Sequence, residues 1–125
     1  MSADPYSPRV RELFATTPHA GVVEGGVTVH VEDQGVRVEL SAKAVGDRVS
    51  ELGFRAWGCP HLIAAAAAFC SGYKGQKVAH LQQFSASGLM QTLAVPVEKT
   101  GRILVLEDAV RSLGATSRQQ SELHP

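Results

Sequence analysis

Two short runs of alternating valines constrain this chain most. Val27, Val29 and Val31 alternate with Thr28, His30 and Glu32, and Val36, Val38 and Leu40 alternate with Arg37, Glu39 and Ser41. A period of two puts each apolar set on one face of a strand. Asp33-Gln34-Gly35 lies between the runs and supplies a Gly suited to positive φ, so the pair reads as a β-hairpin. Gly46-Asp47 marks a second turn, and Leu52, Phe54 and Ala56 continue the alternation as a third strand. Three consecutive strands with short connections predict an antiparallel meander, with strands near 21–31, 36–43 and 50–57.

At Gly58 the period changes. Leu62, Ile63, Ala66, Phe69, Cys70 and Tyr73 recur at helical spacing and predict a helix over 60–73, with alanines between them that permit close approach to a sheet. Ser7 as N-cap and Pro8 at the first helical position predict a short opening helix over 6–14, with Val10, Leu13 and Phe14 on one face and Thr17-Pro18 ending it. Short helices fit 78–84 and 87–93. A last stripe of Ile103, Leu106, Val110 and Leu113 predicts a helix over 102–113 that Gly114 stops. Strands first and helices later give an α+β fold, a three-stranded antiparallel sheet with helices packed on one face. A single domain is expected over 1–125, with an ordered core of about 6–113, a loose start at 1–5 and a fraying polar tail at 115–125.

Charge excludes several partners. The chain has 125 residues, with 12 Lys+Arg against 12 Asp+Glu. That balance removes the electrostatic case for nucleic acid or an anionic membrane surface. The longest apolar run, 62–70, is far short of the roughly 20 residues that span a bilayer. The opening MSADPYSPRV has no apolar core of a signal peptide, so a cytoplasmic protein with reduced thiols is expected.

The chemically informative segment is Trp57-Gly58-Cys59-Pro60-His61. Cys59 stands where the third strand ends, and Pro60 suits the first position of the helix, so Cys59 falls at its N-cap. Unpaired backbone N–H groups and the positive end of the helix dipole then face the sulfur and favour thiolate. Cys70 lies three turns further along the same face, roughly 16 Å away at 1.5 Å per residue, too far for a disulfide or a shared metal, and reads as a core residue. The histidines at 19, 30, 61, 80 and 124 are scattered, and His61 reads as a solvated first-turn residue. No Ser/His/Asp pattern, phosphate loop or CxxC is present, so the chain does not read as an enzyme.

FRAWGCPHLIAAAA, residues 54–67, resembles the signature strand and helix of the IscU/NifU-type iron–sulfur cluster assembly scaffolds. Tyr6-Ser7 with Val10 and Phe14 is similar to that family's opening helix. Tyr73-Lys74-Gly75-Gln76 resembles its Lys-Gly step, and Val95-Pro96-Val97-Glu98-Lys99, followed by Glu107-Asp108-Ala109-Val110, resembles its Leu-Pro-Pro-Val-Lys segment and last helix. The resemblance covers residues 6–113 in order. It implies an IscU/SufE-like α+β fold, a role in iron–sulfur cluster assembly, and a cysteine desulfurase and other assembly proteins as partners. It also implies a site for a cluster or zinc built on three cysteines, an Asp and a His. Of those positions Cys59 keeps its cysteine. The other two cysteines fall on Asp33 and Arg102, the Asp on Gly35 and the His on Gly101. Cys59 and Asp33 are therefore the candidate cofactor and metal ligands, too few for a cluster or zinc within one monomer. Arg102 pairs with Asp33, or holds Cys59 as thiolate, or both Asp33 and Arg102 simply point to solvent. Three functions follow: a scaffold with a reduced metal site, a single-cysteine sulfur acceptor carrying persulfide, or a regulatory homologue without metal.

Overall fold

Turn chemistry sets the sheet. In the computed structural model, which describes residues 6–17 and 19–123 and side chains as far as Ser117, Gln34 and Gly35 both take positive φ, 52° and 73°. Two successive left-handed residues make a turn whose twist matches that of paired strands. They join β1 (Val27–Asp33) to β2 (Val36–Val45), and β3 (Arg48–Trp57) follows. The sheet is antiparallel in the order β1-β2-β3, with Val29 opposite Leu40 and Leu40 opposite Phe54. Val36, Val38, Leu40, Ala42, Leu52 and Phe54 are buried on one face.

The helices cover that face as expected. α1 is Pro8–Thr16, α2 Pro60–Tyr73, α3 Val78–Gln82, α4 Ser87–Thr92 and α5 Thr100–Leu123, with a 3₁₀ turn at Val97–Lys99 before α5. The Ser7 hydroxyl accepts the Val10 amide at 3.2 Å and donates to the Leu93 carbonyl at 3.1 Å, so the N-cap also ties α1 to the end of α4. α2 is buried on nearly every side, from His61 and Leu62 through Ala64–Ala67 to Phe69 and Cys70, because it lies between β3 and α1 and also meets α5. Small alanines allow this three-sided approach. α5 packs on β1 and β2, and α3 packs on α5.

Three expectations need correction. The first strand starts at Val27 and not near 21. Residues 19–21 instead pair along the free edge of β3, with the Gly21 amide donating to Phe54 O at 2.8 Å, and the Val23 amide then reaches Ser41 Oγ at 2.9 Å. Phe14 does not join Val10 and Leu13 in the core but is 45% exposed. Gly114 does not stop the last helix, which runs to Leu123. A Cβ at Gly114 would stand 2.8 Å from Leu81 Cβ and 2.9 Å from the Gln82 amide. The glycine serves close packing of α3 on α5 and not helix termination. The expectations for residues 1–5 and 124–125 lie outside the described residues.

Candidate functional site at the start of helix α2

Hydrogen-bond register brings one end of the sheet together. Asp33 pairs with Val36, and Arg37 with Trp57, so the end of β1, the start of β2 and the end of β3 share an edge. At that edge the chain turns through Gly58 and Cys59 into α2. A Cβ at Gly58 would lie 2.8 Å from Val36 Cγ1 and 2.9 Å from Leu62 Cδ2, so only glycine lets the turn sit this close to β2.

Cys59 is the N-cap of α2, with φ −80° and ψ 161° and Pro60 next. Its carbonyl accepts the Leu62 and Ile63 amides at 3.0 and 3.2 Å. Its thiol makes no capping hydrogen bond and is half-buried. The sulfur is therefore held at the positive end of a fourteen-residue helix. Cys70 is fully buried, and desolvation pushes its thiol up to about 12. The two thiols at this helix thus differ in access, as their sequence positions imply.

The other predicted site residues occupy the same end without joining. Asp33 is exposed at the end of β1, where Oδ1 accepts the Gln34 amide at 2.8 Å. Arg102 is partly exposed in the first turn of α5. The Gln34 side chain reaches the start of α5, since a Cβ at Gly101 would lie 3.4 Å from Gln34 Oε1. The hairpin tip and the start of α5 are thus neighbours, yet no ion pair links Asp33 to Arg102. Among the described residues no group of three or more His, Cys, Asp or Glu side chains is placed to hold a metal ion.

His61 is the residue that sequence reasoning misplaced. It is buried, 1% exposed, and neither ring nitrogen has a hydrogen-bond partner. Tyr6 covers it at 4.8 Å between ring centroids. Burial lowers its pKa, the nearby charge of Lys99 adds to that, and Glu98 opposes it. The ring is therefore held neutral beside Cys59. Nothing local to α2 signals this. The cover comes from the residues leading into α1, more than fifty positions earlier.

Comparison with known proteins agrees with this architecture. Residues 5–118 match the NifU-like N terminal domain. The N-terminal part of a nitrogen-fixing NifU-like protein from Brucella abortus has a similar fold, with TM-score 0.71 and 13% identity over 95% of each chain. A protein described as an iron–sulfur cluster assembly scaffold for the SUF system, from Fervidobacterium islandicum AW-1, superposes with TM-score 0.59 and 17% identity, covering 85% of this chain and 82% of that one. A hypothetical protein solved at 2.3 Å resolution gives TM-score 0.61 and 13% identity over 84% of this chain and 98% of its own. No curated protein matches the chain in sequence.

Proposed function

The chain belongs to the NifU-like N terminal domain family, and from that premise we propose that it acts in iron–sulfur cluster assembly as a scaffold-type protein working through Cys59. The observation that carries this is the contrast between its thiols. Cys59 is half-buried at a helix N-cap, and Cys70 is sealed in the core. One chain then offers one accessible thiol, with Asp33 at the same end of the sheet. A cluster or closed zinc site takes about four N, O or S ligands. The donors of one chain do not fit that number, so a cluster as cargo needs further ligands from a second chain or from a small thiol.

The single accessible thiol also favours a second reading, sulfur acceptance. The Cys59 thiolate attacks the terminal sulfur of a persulfide on a cysteine desulfurase. The donor's S–S bond breaks, the donor cysteine leaves as thiolate, and the new S–S bond stands on Cys59. Sulfur changes hands without net oxidation. In this role the protein is a carrier and not the catalyst.

Anaerobic incubation with a cysteine desulfurase and cysteine, with and without ferrous iron, tests both readings. Persulfide mass on Cys59 without iron supports sulfur acceptance. Iron and labile sulfide that co-purify, and are lost in Cys59→Ser, support the scaffold. Neither signal on wild type would remove Cys59 from the chemistry.

A further inference from the structure

We propose that the groove between α1, the end of β3 and α2 is a docking site for a segment of a partner protein that carries apolar anchors and carboxylates. The proposal goes beyond the function above, because docking requires no sulfur chemistry. The groove is open and of about 390 Å³. Phe14 and Trp57, 45% and 44% exposed, stand on its walls, with Ala20, Ala56 and Ile63 between them. Two large apolar side chains left in water and facing one groove are not explained by folding, which would favour burying them. Aromatic residues and arginine are the types that carry binding energy at protein interfaces.

Charge commits the occupant. Among the described residues Arg55 is the single charged residue lining the groove. Its guanidinium lies over the Trp57 ring at 5.3 Å, and that of Arg37 lies over the same ring at 5.0 Å. Glu39 is the shared anion of both, at 3.9 Å from Arg55 and 3.7 Å from Arg37. Two cations thus share one carboxylate, and most of their five N–H donors each stay available. Glu32 pairs with Arg37 in the register but belongs to β1, the sheet edge away from the groove. Stacking on Trp57 holds both guanidinium planes in place before a ligand arrives, which lowers the entropy cost of binding. The apolar floor between Phe14 and Trp57 favours a peptide with apolar side chains over a phosphate backbone.

The location gives docking a purpose. Trp57 stands two residues before Cys59, and Ile63 is bonded through its amide to the Cys59 carbonyl. A segment seated between Phe14 and Trp57 therefore lies within one helical turn of the Cys59 backbone.

Trp57 is the only tryptophan of the chain, so its fluorescence reads the groove directly. The probe is a short acetylated peptide alternating glutamate with leucine and phenylalanine, titrated at low salt. Saturable change in Trp57 emission is expected, with Kd on the order of 10–100 μM, as for a weak transient contact. Calorimetry on Phe14→Ser and Arg55→Glu should show at least about tenfold weaker binding, with Arg55→Lys between them and wild type. Both changes are at exposed positions, and thermal unfolding checks that the variants stay folded. Equal affinity in Arg55→Glu, equal binding of the lysine counterpart peptide or of an oligouridylate, or no binding of the acidic peptide to wild type would overturn the proposal. So would a concentration-dependent dimer by sedimentation that Phe14→Ser dissolves, since the occupant would then be a second copy.

Discussion

Helix α2 has two ends with opposite characters. At its start, Cys59 is half-buried on an N-cap, His61 is buried with both ring nitrogens unpartnered, and an open groove passes alongside. At its far end, Phe69, Tyr73 and Phe84 form a closed aromatic triad with centroid separations of 5.0, 5.3 and 5.4 Å, next to the fully buried Cys70. The second end gains stability from edge-to-face packing and dense contact. The first keeps features that folding alone does not reward. The difference teaches that the accessible thiol lies where packing is left incomplete, and that one helix joins it to the core.

The sharpest way to break this comparison is chemical. In the folded protein at pH 7.5, iodoacetamide should modify Cys59 at least about 100-fold faster than Cys70. A thiol with pKa of about 12 is ionised to only one part in 10⁴ to 10⁵ there, roughly, and Cys70 is closed to solvent besides. Peptide mass spectrometry after timed quenching measures both rates. Similar rates without denaturant would erase the distinction between the ends.

Stability gives the next largest contrast. Phe69→Ala should cost about 3–5 kcal/mol in denaturant unfolding, because it opens a cavity within the triad. Cys59→Ser should cost less than about 0.5 kcal/mol, since the site is half-open and serine is a good N-cap. Gly58→Ala should fall between them, at about 1–3 kcal/mol, because its methyl would press on Val36 and Leu62. A near-neutral Gly58→Ala would mean that the Cys59 turn is not pinned to β2.

His61 sharpens the comparison through pH. Its folded pKa is lowered from 6.5 by burial, so below pH 6.5 the unfolded chain takes up a proton that the folded chain refuses. Stability contributed by the neutral ring is full above pH 6.5. It is lost as pH falls toward the folded value, with a slope of at most about 1.4 kcal/mol per pH unit. His61→Phe should remove that component, so that wild type weakens more than the variant between pH 7 and pH 5. Parallel stability curves for the two proteins would show that the ring is hydrated. A small gain, of opposite sign, is expected at Gly72, near the far end of α2, where a Cβ would meet nothing within 4 Å. Gly72→Ala should stabilise by about 0.5–1 kcal/mol through helix propensity, read as a raised denaturation midpoint.

Much of the sheet was legible because its signals are local. The valine alternation and Asp33-Gln34-Gly35 predicted β1, β2 and their turn, and the switch of period at Gly58 predicted α2 and the N-cap position of Cys59. Gly114 misled for the opposite reason. Its role depends on Leu81 and Gln82 of another helix, and nothing beside it in the sequence distinguishes close approach from a helix stop. Phe14 likewise shares the helical spacing of Val10 and Leu13, and only the position of α1 against α2 decides which side chains are covered. For the site, Cys59 and Arg102 fall at the helix starts expected of them and Asp33 at the last position of β1 instead of in the turn, but the contact of Gln34 with the start of α5 and the absence of an Asp33–Arg102 ion pair are matters of side-chain placement.

The amino-acid sequence by itself determined the α+β order of elements, the hairpin, the family, and which thiol sits at a helix start. Those properties follow from periodicity, turn residues and capping, which act over a few neighbouring positions. Only the tertiary structure decided that Tyr6 seals His61 into a neutral pocket, that Phe14 and Trp57 face one groove, that the two arginines share Glu39, and that the last helix continues past Gly114. Each of these joins residues far apart in the chain. Their energies come from desolvation and close contact, which exist only once the helices have packed on the sheet.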